Sequence, residues 1–319
     1  MIARDREVNA THLILNANAH RLSRGGSRLL GRMETLASGR ARLWVTRHVD
    51  ELADTVSRIA EAGAERVVLC GGDGTFMSGV TALARAFAGR ELPTLILAPA
   101  GTVATVARNF GHRSDLLSTV RRAVGGGALP EAVERPTLRV SEDGGATRVG
   151  FMFGTGLVAH FFDRYYAAGG DGYATAARLV ARIFVGSVVG DAYSSSVLDP
   201  LPCTVSVEGR DLAPAGYSLI MSSVVKDLGL HMYVNHRAAE DPERPHLVAS
   251  PLGTRQLGPQ APRVLTGRPL RGEGVFDDLV REFSVRFPGE GGPYVLDGDV
   301  LRAREVTVSA GPRVRVIAY

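Results

Sequence analysis

The chain has 319 residues, of which 45% are hydrophobic and 22% charged, so it can bury a substantial core and exceeds the usual size of one domain. Its 38 glycines and 16 prolines are spread among apolar runs, which excludes collagen-like and low-complexity classes. The formal net charge of +4 would suit an anionic membrane or nucleic acid, but the arginines are diffuse and Lys226 is the only lysine, so no nucleic-acid partner is predicted.

Neither a disulfide framework nor a transition-metal site is predicted. The two cysteines are too few for a framework or a closed zinc site, and the eight histidines show no spacing typical of metal ligands. Any metal should therefore be bound by oxygen atoms. The first nine residues lack the apolar core of a signal sequence, and no apolar run approaches the ~20 residues needed to cross a bilayer. We therefore expect a cytoplasmic protein without a spanning helix.

Short apolar runs alternate with amphipathic segments along the first 110 residues. Strands are predicted at residues 11–15, 42–45, 67–70 and 94–98. Helices are predicted after them at about residues 25–36, 52–60, 76–87 and 103–110. Asp50 is predicted to cap the second of these helices and Gly63 to end it. Strand alternating with helix in this way is typical of a parallel sheet covered on both faces.

The pattern changes after Gly125-Gly126-Gly127, which is predicted to be a linker. Beyond it, short alternating strands are predicted at residues 137–140, 149–153, 204–207, 217–222 and 282–286, with a terminal pair near Val306 and Val314. One helix is predicted at residues 173–184, and the segment 241–271, rich in proline and glycine, is predicted to be a loop. The predicted fold is an α/β N-terminal domain with a parallel sheet, residues 1–135, followed by a β-sandwich-like domain, residues 136–319.

A glycine loop, Gly71-Gly72-Asp73-Gly74-Thr75, joins the third predicted strand to a helix. At such a helix N-terminus, unpaired backbone N–H groups and the positive end of the dipole favour a phosphate. Glycine lets the backbone approach the ligand, Thr75 adds a hydroxyl, and Asp73 offers a carboxylate for a hard cation or a proton. The alternative is an ordinary turn between strand and helix, because Gly-Asp-Gly is common in turns.

A second loop, Pro99-Ala100-Gly101-Thr102, repeats the strand, glycine, threonine and helix arrangement one unit later. Because neighbouring parallel strands end at the same edge of a sheet, both loops should lie together there. Ligands of open α/β sheets bind at that edge. The two loops therefore predict a phosphate cradle.

In this order the two loops resemble the diacylglycerol kinase catalytic family, which includes sphingosine and ceramide kinases and bacterial lipid kinases. The resemblance continues through Ala107-Arg108, through the segment Phe151-Met152-Phe153-Gly154-Thr155-Gly156, and through Asp297-Gly298-Asp299. The Gly-Gly-Asp-Gly-Thr loop is shared with NAD kinases, so the combination of motifs, and not this loop alone, indicates the lipid kinase branch.

The resemblance implies an ATP-dependent lipid kinase, with ATP and Mg²⁺ in the cleft between the domains and a membrane lipid as substrate. The phosphate-binding residues would be Gly71, Gly72, Gly74, Thr75, Gly101 and Thr102. Asp73 would bind the metal or orient the nucleotide, and Asn16 and Asn18 would contact the nucleotide from the first strand. The protein would be cytoplasmic and peripheral to a membrane, and a homodimer is one of the oligomeric states left open.

A general base must accept the proton of the attacking lipid hydroxyl. The resemblance implies Asp297, Asp299 or the loop residue Asp73 as this base, and Asp297 is favoured. The Asp-Gly sequence also predicts a hairpin turn here, and both interpretations can hold.

Four positions depart from the family pattern where polar residues are usual: Met77, Ser78, Ala104 and Thr105. They leave open a weakly active or inactive nucleotide- or lipid-binding protein, and the shared loop leaves open a kinase for a soluble hydroxyl substrate. A P-loop is excluded because no lysine follows either glycine loop.

The predicted helix at 173–184, with Arg178 and Arg182 beside an apolar face, would pack in the core or touch a membrane. Aromatic residues before it would fill the sandwich or line an acyl-chain channel: Phe161, Phe162, Tyr165 and Tyr166.

Overall fold

The structure is a computed structural model that describes residues 10–101, 104–170 and 172–319. It divides into two compact units, the first made of Met1–Arg135 with Arg313–Tyr319 and the second of Pro136–Pro312. We had assigned residues 313–319 to the second domain. They lie in the first unit instead, because a strand there, Val314–Ile317, pairs in parallel with Thr94–Pro99.

A six-stranded sheet forms the centre of the first unit. Its strands are β1 Thr11–Asn16, β2 Arg42–Thr46, β3 Arg66–Gly71, β4 Thr94–Pro99, β5 Val133–Arg135 and, from the far end of the chain, β20 Val314–Ile317. The order is β2-β1-β3-β4-β20-β5, and all neighbours are parallel except β20 and β5. The inner strands consist of almost continuous apolar residues, since helices cover both faces of a parallel sheet.

The helices of the first unit follow these strands: α1 His20–Ala37, α2 Val49–Glu61, α3 Asp73–Ala86, α4 Thr105–Asn109 and α5 Leu116–Val124. The prediction that Asp50 caps the second helix is wrong. The helix α2 begins at Val49, the residue before Asp50, and His48 occupies the N-cap position. Asp50 lies in the first turn, where a carboxylate still interacts favourably with the helix dipole. Gly63 follows the helix with a φ of 68°, as a glycine stop requires.

Antiparallel strands dominate the second unit. They are β6 Leu138–Glu142, β7 Thr147–Gly150, β8 Met152–Gly156, β9 Leu201–Pro202, β10 Thr204–Val207, β11 Arg210–Asp211, β12 Gly216–Tyr217, β13 Leu219–Ser223, β14 His246–Ser250, β15 Phe276–Leu279, β16 Glu282–Arg286, β17 Gly292–Leu296, β18 Asp299–Ala303 and β19 Glu305–Ala310. Two six-stranded sheets have the orders β11-β10-β16-β19-β6-β7 and β15-β14-β13-β8-β17-β18. Phe153 of one sheet packs edge-on against Phe283 of the other, with ring centroids 5.7 Å apart, so the sheets form a sandwich.

The helices of the second unit are α6 Leu157–Ala167, α7 Gly172–Val189, α8 Ala192–Leu198, α9 Thr254–Leu257 and α10 Ala261–Leu265. The sequence predicts one helix here, which corresponds to α7, and the other four helices were not predicted. Among the described residues, α7 is long and apolar enough to cross a bilayer by length and composition alone, although Arg178 and Arg182 lie near its middle. Most of its surface is exposed.

Two strand predictions in the second unit are wrong. The predicted strand 149–153 is interrupted at Phe151, so that β7 and β8 belong to different sheets. β14 lies inside the predicted loop 241–271; all five of its residues are buried, so it lacks the alternation by which a half-exposed strand is recognised. The predicted fold class, a parallel α/β domain followed by a β-rich domain, is confirmed.

Candidate functional site

The first glycine loop has the geometry that the sequence predicted. β3 ends at Gly71, Gly72 occupies the N-cap position, and α3 begins at Asp73. The Phe76 N–H donates to the Gly72 carbonyl over 3.0 Å and closes the first helical turn. Gly74 and Thr75 lie within that turn. The N–H groups that a helix leaves unpaired are therefore presented at the carboxyl edge of the sheet.

The two glycine loops are in direct contact. The Gly71 carbonyl accepts hydrogen bonds from the N–H groups of Ala100 at 2.7 Å and Gly101 at 3.2 Å. A Cβ atom added to Gly101 would lie 2.7 Å from the Cα atom of Gly72, and one added to Gly71 would collide with the Thr75 side chain. Only glycine allows this approach, so the two backbones form one cradle. Thr102, predicted to complete it, lies outside the described residues.

Asn16 orients the hydroxyl of Thr75. The Asn16 Nδ2 group donates to Thr75 Oγ1 over 2.8 Å, which leaves the hydroxyl proton for another acceptor. The Asn16 side-chain oxygen in turn accepts the Asn18 N–H at 2.9 Å. Asn18 is exposed, and its amide donates to the Arg47 carbonyl at 2.7 Å. Asn16 thus belongs to the same sheet edge, whereas the Asn18 side chain holds the loop after β1.

Asp73 links the first loop to the helix after the second loop. Its carboxylate accepts the N–H groups of Thr105 at 2.9 Å and Val106 at 3.0 Å, which are the first residues of α4. Ala104, before them, has a φ of 53°. Desolvation raises the pKa of the Asp73 carboxyl, while these N–H groups and the charge of Arg108 act in the opposite direction. Asp73 therefore caps α4, and each carboxylate oxygen keeps a lone pair.

Three of the four positions that depart from the family pattern have structural roles. Met77 and Ala104 are buried, with 4% and 6% of their surface exposed. Met77 packs in α3, where its sulfur accepts the Thr81 hydroxyl at 3.9 Å. Thr105 is buried and gives its N–H to Asp73. These side chains supply packing at the places where family members offer polar groups.

The late acidic motif forms a hairpin turn in the second unit. β17 ends at Leu296, β18 begins at Asp299, and these two residues pair. Asp297 and Gly298 between them have φ values of 49° and 96°, the left-handed conformation of a two-residue turn. The hairpin predicted as one interpretation of Asp-Gly is therefore present.

The carboxylate of Asp297, the favoured general base, is buried and hydrogen-bonded. Its two oxygens accept the N–H of Phe151 at 2.9 Å and the N–H of Met152 at 3.0 Å. Only 4% of the residue is exposed. These bonds lie where the chain passes from β7 to β8, so Asp297 fixes the break between two strands that belong to different sheets. Asp297 is a structural anchor in this geometry.

Asp299, two residues later, has an exposed position on β18. Desolvation of its carboxyl raises its pKa, and the charge of Arg148 opposes that shift. The described residues provide its carboxylate with no hydrogen bond or ion pair. Desolvation, followed by the Asp299 charge, raises the pKa of the nearby Tyr166 hydroxyl, which donates to the Gly298 carbonyl at 2.7 Å. Tyr166 is one of the aromatic residues predicted to fill the sandwich or line a channel, but its hydrogen bond to this turn was not predicted.

An aromatic cluster lies beside this turn. Its rings have centroids 5.4 to 6.3 Å apart and belong to Phe161, Phe162, Tyr165 and Tyr166 of α6. The cluster is partly exposed, and Tyr166 has 51% of its surface exposed. Filling the sandwich, one of the two predicted roles, does not fit the exposed Tyr166, whereas Phe161 packs against a buried apolar cluster. The aromatic cluster provides an apolar surface next to Asp299.

Residues 11–133 match the family model of the diacylglycerol kinase catalytic domain. The match begins at β1, includes both glycine loops and reaches the first residue of β5. It confirms the family resemblance over this part of the chain, which is less than half of its length. None of the curated proteins matches the sequence significantly.

Two solved structures from Bacillus anthracis str. Sterne resemble the whole chain. One, described as a putative diacylglycerol kinase, has a TM-score of 0.66 at 13% identity and covers 98% of this chain and 97% of its own. The other, described as a diacylglycerol kinase, has a TM-score of 0.60 at 14% identity and also covers 98% and 97%. At these identities the likeness establishes the fold alone.

Proposed function

We propose that the protein is an ATP-dependent phosphotransferase that phosphorylates a hydroxyl group of a lipid, diacylglycerol or a sphingoid or ceramide lipid. The observation that carries this proposal is the contact of the Gly72 and Gly101 backbones at the sheet edge, beside the N-terminus of α3. A polyphosphate needs such a surface, free of Cβ atoms and rich in N–H donors. The match of residues 11–133 to a kinase catalytic domain supports it independently.

The first unit would hold ATP. The backbone from Gly71 to Gly74 and at Gly101 fits phosphate oxygens, and the Thr75 hydroxyl, oriented by Asn16, is available to donate. Mg²⁺ in kinases is held by one or two carboxylates together with the phosphates, and Asp73 has lone pairs for this. Bound Mg²⁺ would neutralise phosphate charge. Asp73 would also keep α4 in place through Thr105.

The second unit would supply the base, and we assign this role to Asp299 in place of Asp297. A base needs an accessible carboxylate whose pKa lies closer to neutrality than usual. Asp299 meets both conditions, whereas the oxygens of Asp297 are engaged by backbone N–H groups. As the lipid oxygen forms its bond to the γ-phosphorus and the bond to ADP breaks, the Asp299 carboxylate would accept the hydroxyl proton.

A lipid acceptor is favoured by exposed apolar surface in the second unit. Besides the aromatic cluster, α7 exposes a stripe along one face: Ala174, Arg178, Ala181, Arg182, Val185, Val188 and Val189. Val185 and Val188 are 73% and 68% exposed. Arg182 lies about one turn before Val185, and Arg178 one turn before Arg182. Valines beside arginines on one face are typical of a helix lying in an anionic membrane interface, which would make the protein peripheral to the membrane.

The direct test is transfer of labelled phosphate from ATP with Mg²⁺ to a panel of lipids in vesicles. We expect a labelled phospholipid with the native chain and a loss of at least about 100-fold in Asp299→Asn. Gly101→Ala should abolish transfer and ATP binding, whereas Gly31→Ala, at a helix position with open space around it, should leave both unchanged. No transfer to any lipid would refute the proposal, and transfer to a soluble acceptor alone would identify the soluble-substrate kinase.

A second candidate, a nucleotide-binding protein with little turnover, is favoured by one observation. Met77 and Ala104 are buried and offer no polar contact near the two loops. Calorimetry separates the candidates: ATP binding that depends on Gly101, without transfer to any acceptor, would establish the binding protein.

A further inference from the structure

Three side chains in the second unit that the proposed kinase reaction does not use form a compact group. His236, His246 and Asp277 each place one potential ligand atom within 4.8 Å of the others. His246 opens β14, Asp277 lies in the neighbouring edge strand β15, and His236 lies in the loop before β14. Their separation in the sequence has no motif spacing, which is why the histidines seemed scattered.

Two of these residues have buried atoms without a partner. His246 is fully buried, and its Nε2 atom lies 2.7 Å from Asp277 Oδ1. Its Nδ1 atom and Asp277 Oδ2 are also buried, and neither has a hydrogen-bond partner among the described residues. Buried polar atoms in proteins are nearly always paired. A cation that took the place of the proton between His246 Nε2 and Asp277 would bind both residues and would give the unpaired Asp277 Oδ2 a partner.

The Val234 carbonyl favours the tautomer of His236 that a metal ligand needs. Its Nδ1 atom lies 3.3 Å from the Val234 carbonyl, and only an N–H can pair with a carbonyl oxygen. In the neutral ring with its proton on Nδ1, the lone pair is on Nε2. Histidines that bind metals usually donate their other ring N–H to a carbonyl or carboxylate in this way, which fixes the ring and raises its basicity.

Neighbouring residues hold the loop that carries His236. The amide of Asn235 donates to the Met221 carbonyl at 3.2 Å and to the His246 carbonyl at 2.8 Å. Arg237 forms an ion pair of 2.9 Å with Asp278, the residue after Asp277. The loop is thus fastened on both sides of His236 to the strands that carry the other two side chains. Such support is what keeps a metal site ordered before the metal binds.

We propose that His236, His246 and Asp277 bind a divalent transition metal, with Zn²⁺ as the best fit. Two imidazole nitrogens and one carboxylate oxygen match the zinc donor set, and a fourth position would remain for water. The ligands would draw together on binding, since Zn–N and Zn–O bonds are about 2.0–2.2 Å. The metal would fasten the four-residue strand β15 and the long loop before β14 to the sheet.

The test is metal binding by the full-length protein after removal of metal with a chelator. Competition with a chromophoric chelator should give about one equivalent of Zn²⁺ with a Kd below about 1 µM. Co²⁺ should give the visible absorption of a tetrahedral site. His236→Gln and Asp277→Asn should each weaken Zn²⁺ binding by at least about 100-fold. His231→Gln, an exposed histidine of the same loop, is the matched control and should bind Zn²⁺ like the native chain.

Thermal unfolding gives a second measurement that does not depend on enzyme activity. Zn²⁺ should raise the Tm of the native chain and of His231→Gln but not that of His236→Gln, because a ligand stabilises only the folded state that binds it. His236 is partly exposed, so its replacement should leave the fold intact, which circular dichroism checks. Equal Zn²⁺ affinity in all four proteins, or no binding by the folded native chain, would overturn the proposal. His246 and Asp277 would then be a buried hydrogen-bonded pair only.

Discussion

Replacing Asp297 should destabilise the protein even though the residue belongs to a motif predicted to be catalytic. In Asp297→Ala the buried N–H groups of Phe151 and Met152 lose their acceptor. Hydrogen bonds to a charged group contribute about 1.5–3 kcal/mol each, so two of them give about 3–6 kcal/mol. Alanine must also adopt the left-handed φ of 49°, which costs a further ~1 kcal/mol. Allowing for relaxation, we expect a loss of about 3–5 kcal/mol in the free energy of unfolding.

Urea unfolding followed by far-UV circular dichroism measures this loss. Asp297→Asn tolerates the same backbone conformation and keeps one acceptor oxygen, so it should lose about half as much stability as the alanine variant. Asp299→Asn is the control, two residues away. Its carboxylate makes no hydrogen bond with the described residues, and the stability should change by less than about 0.5 kcal/mol. An Asp297→Ala protein within about 1 kcal/mol of the native chain would refute the anchor role.

Three further predictions concern activity and membrane binding. Desolvation raises the pKa of Asp299, and a general base must be ionised, so phosphate transfer should fall as the pH drops through that raised pKa. The acid limb of the pH–rate profile should therefore lie above the usual aspartate range. It should disappear in Asp299→Asn. Asn16→Ala should weaken ATP binding by about 3- to 10-fold without loss of folding, because Thr75 loses the ~1 kcal/mol partner that orients its hydroxyl. The double variant Val185→Ser with Val188→Ser should reduce sedimentation with anionic vesicles while leaving unfolding unchanged.

The pH prediction and the membrane prediction each have a control. A pH profile of Asp299→Glu that retains the acid limb would show that the limb belongs to the carboxylate, and an unchanged limb in Asp299→Asn would contradict the assignment. For the membrane, Val49→Ser is the matched variant, since Val49 is 70% exposed on α2 of the first unit. If it reduces vesicle binding as much as the α7 variants do, α7 is not the contact surface.

The sequence predicted the first unit well because its signals are local. An apolar strand, a glycine loop and an amphipathic helix follow one another directly, and parallel strands must end at one edge of their sheet. The contact of Gly72 with Gly101 follows from that rule although 29 positions separate them, as their numbers show. Even so, the capping of α4 by Asp73 was missed. By its chemistry, a carboxylate next to glycines in a phosphate loop is predicted to bind a metal. The hydrogen bond that it accepts from the Thr105 N–H is visible only in the structure.

The sequence predicted the turn of the late motif but not the burial of Asp297, because the partners of its carboxylate lie 145 and 146 positions away. Asp297 and Asp299 are the same residue type, but the turn gives them different environments. The Asp297 carboxylate is buried against the start of β8, and Asp299 is exposed at the start of β18. The same argument applies to His246 and Asp277, which are brought together by the pairing of β14 with β15 and not by any spacing along the chain. Local sequence patterns do not reveal which distant strands pair, and these contacts depend on that pairing.

The last strand of the chain, β20, belongs to the sheet of the first unit but lies outside the residues that match the family model. β20 lies between β4 and β5, and its Val314 is fully buried. Residues 11–133 therefore do not contain all the strands of the sheet whose edge carries the glycine loops. The first and last residues of the second unit lie close together, since the Thr137 hydroxyl donates to the Pro312 carbonyl at 2.6 Å. The second unit is thus inserted in the sequence between β5 and β20, and a fragment ending near residue 135 would lack the strand that pairs with both β4 and β5.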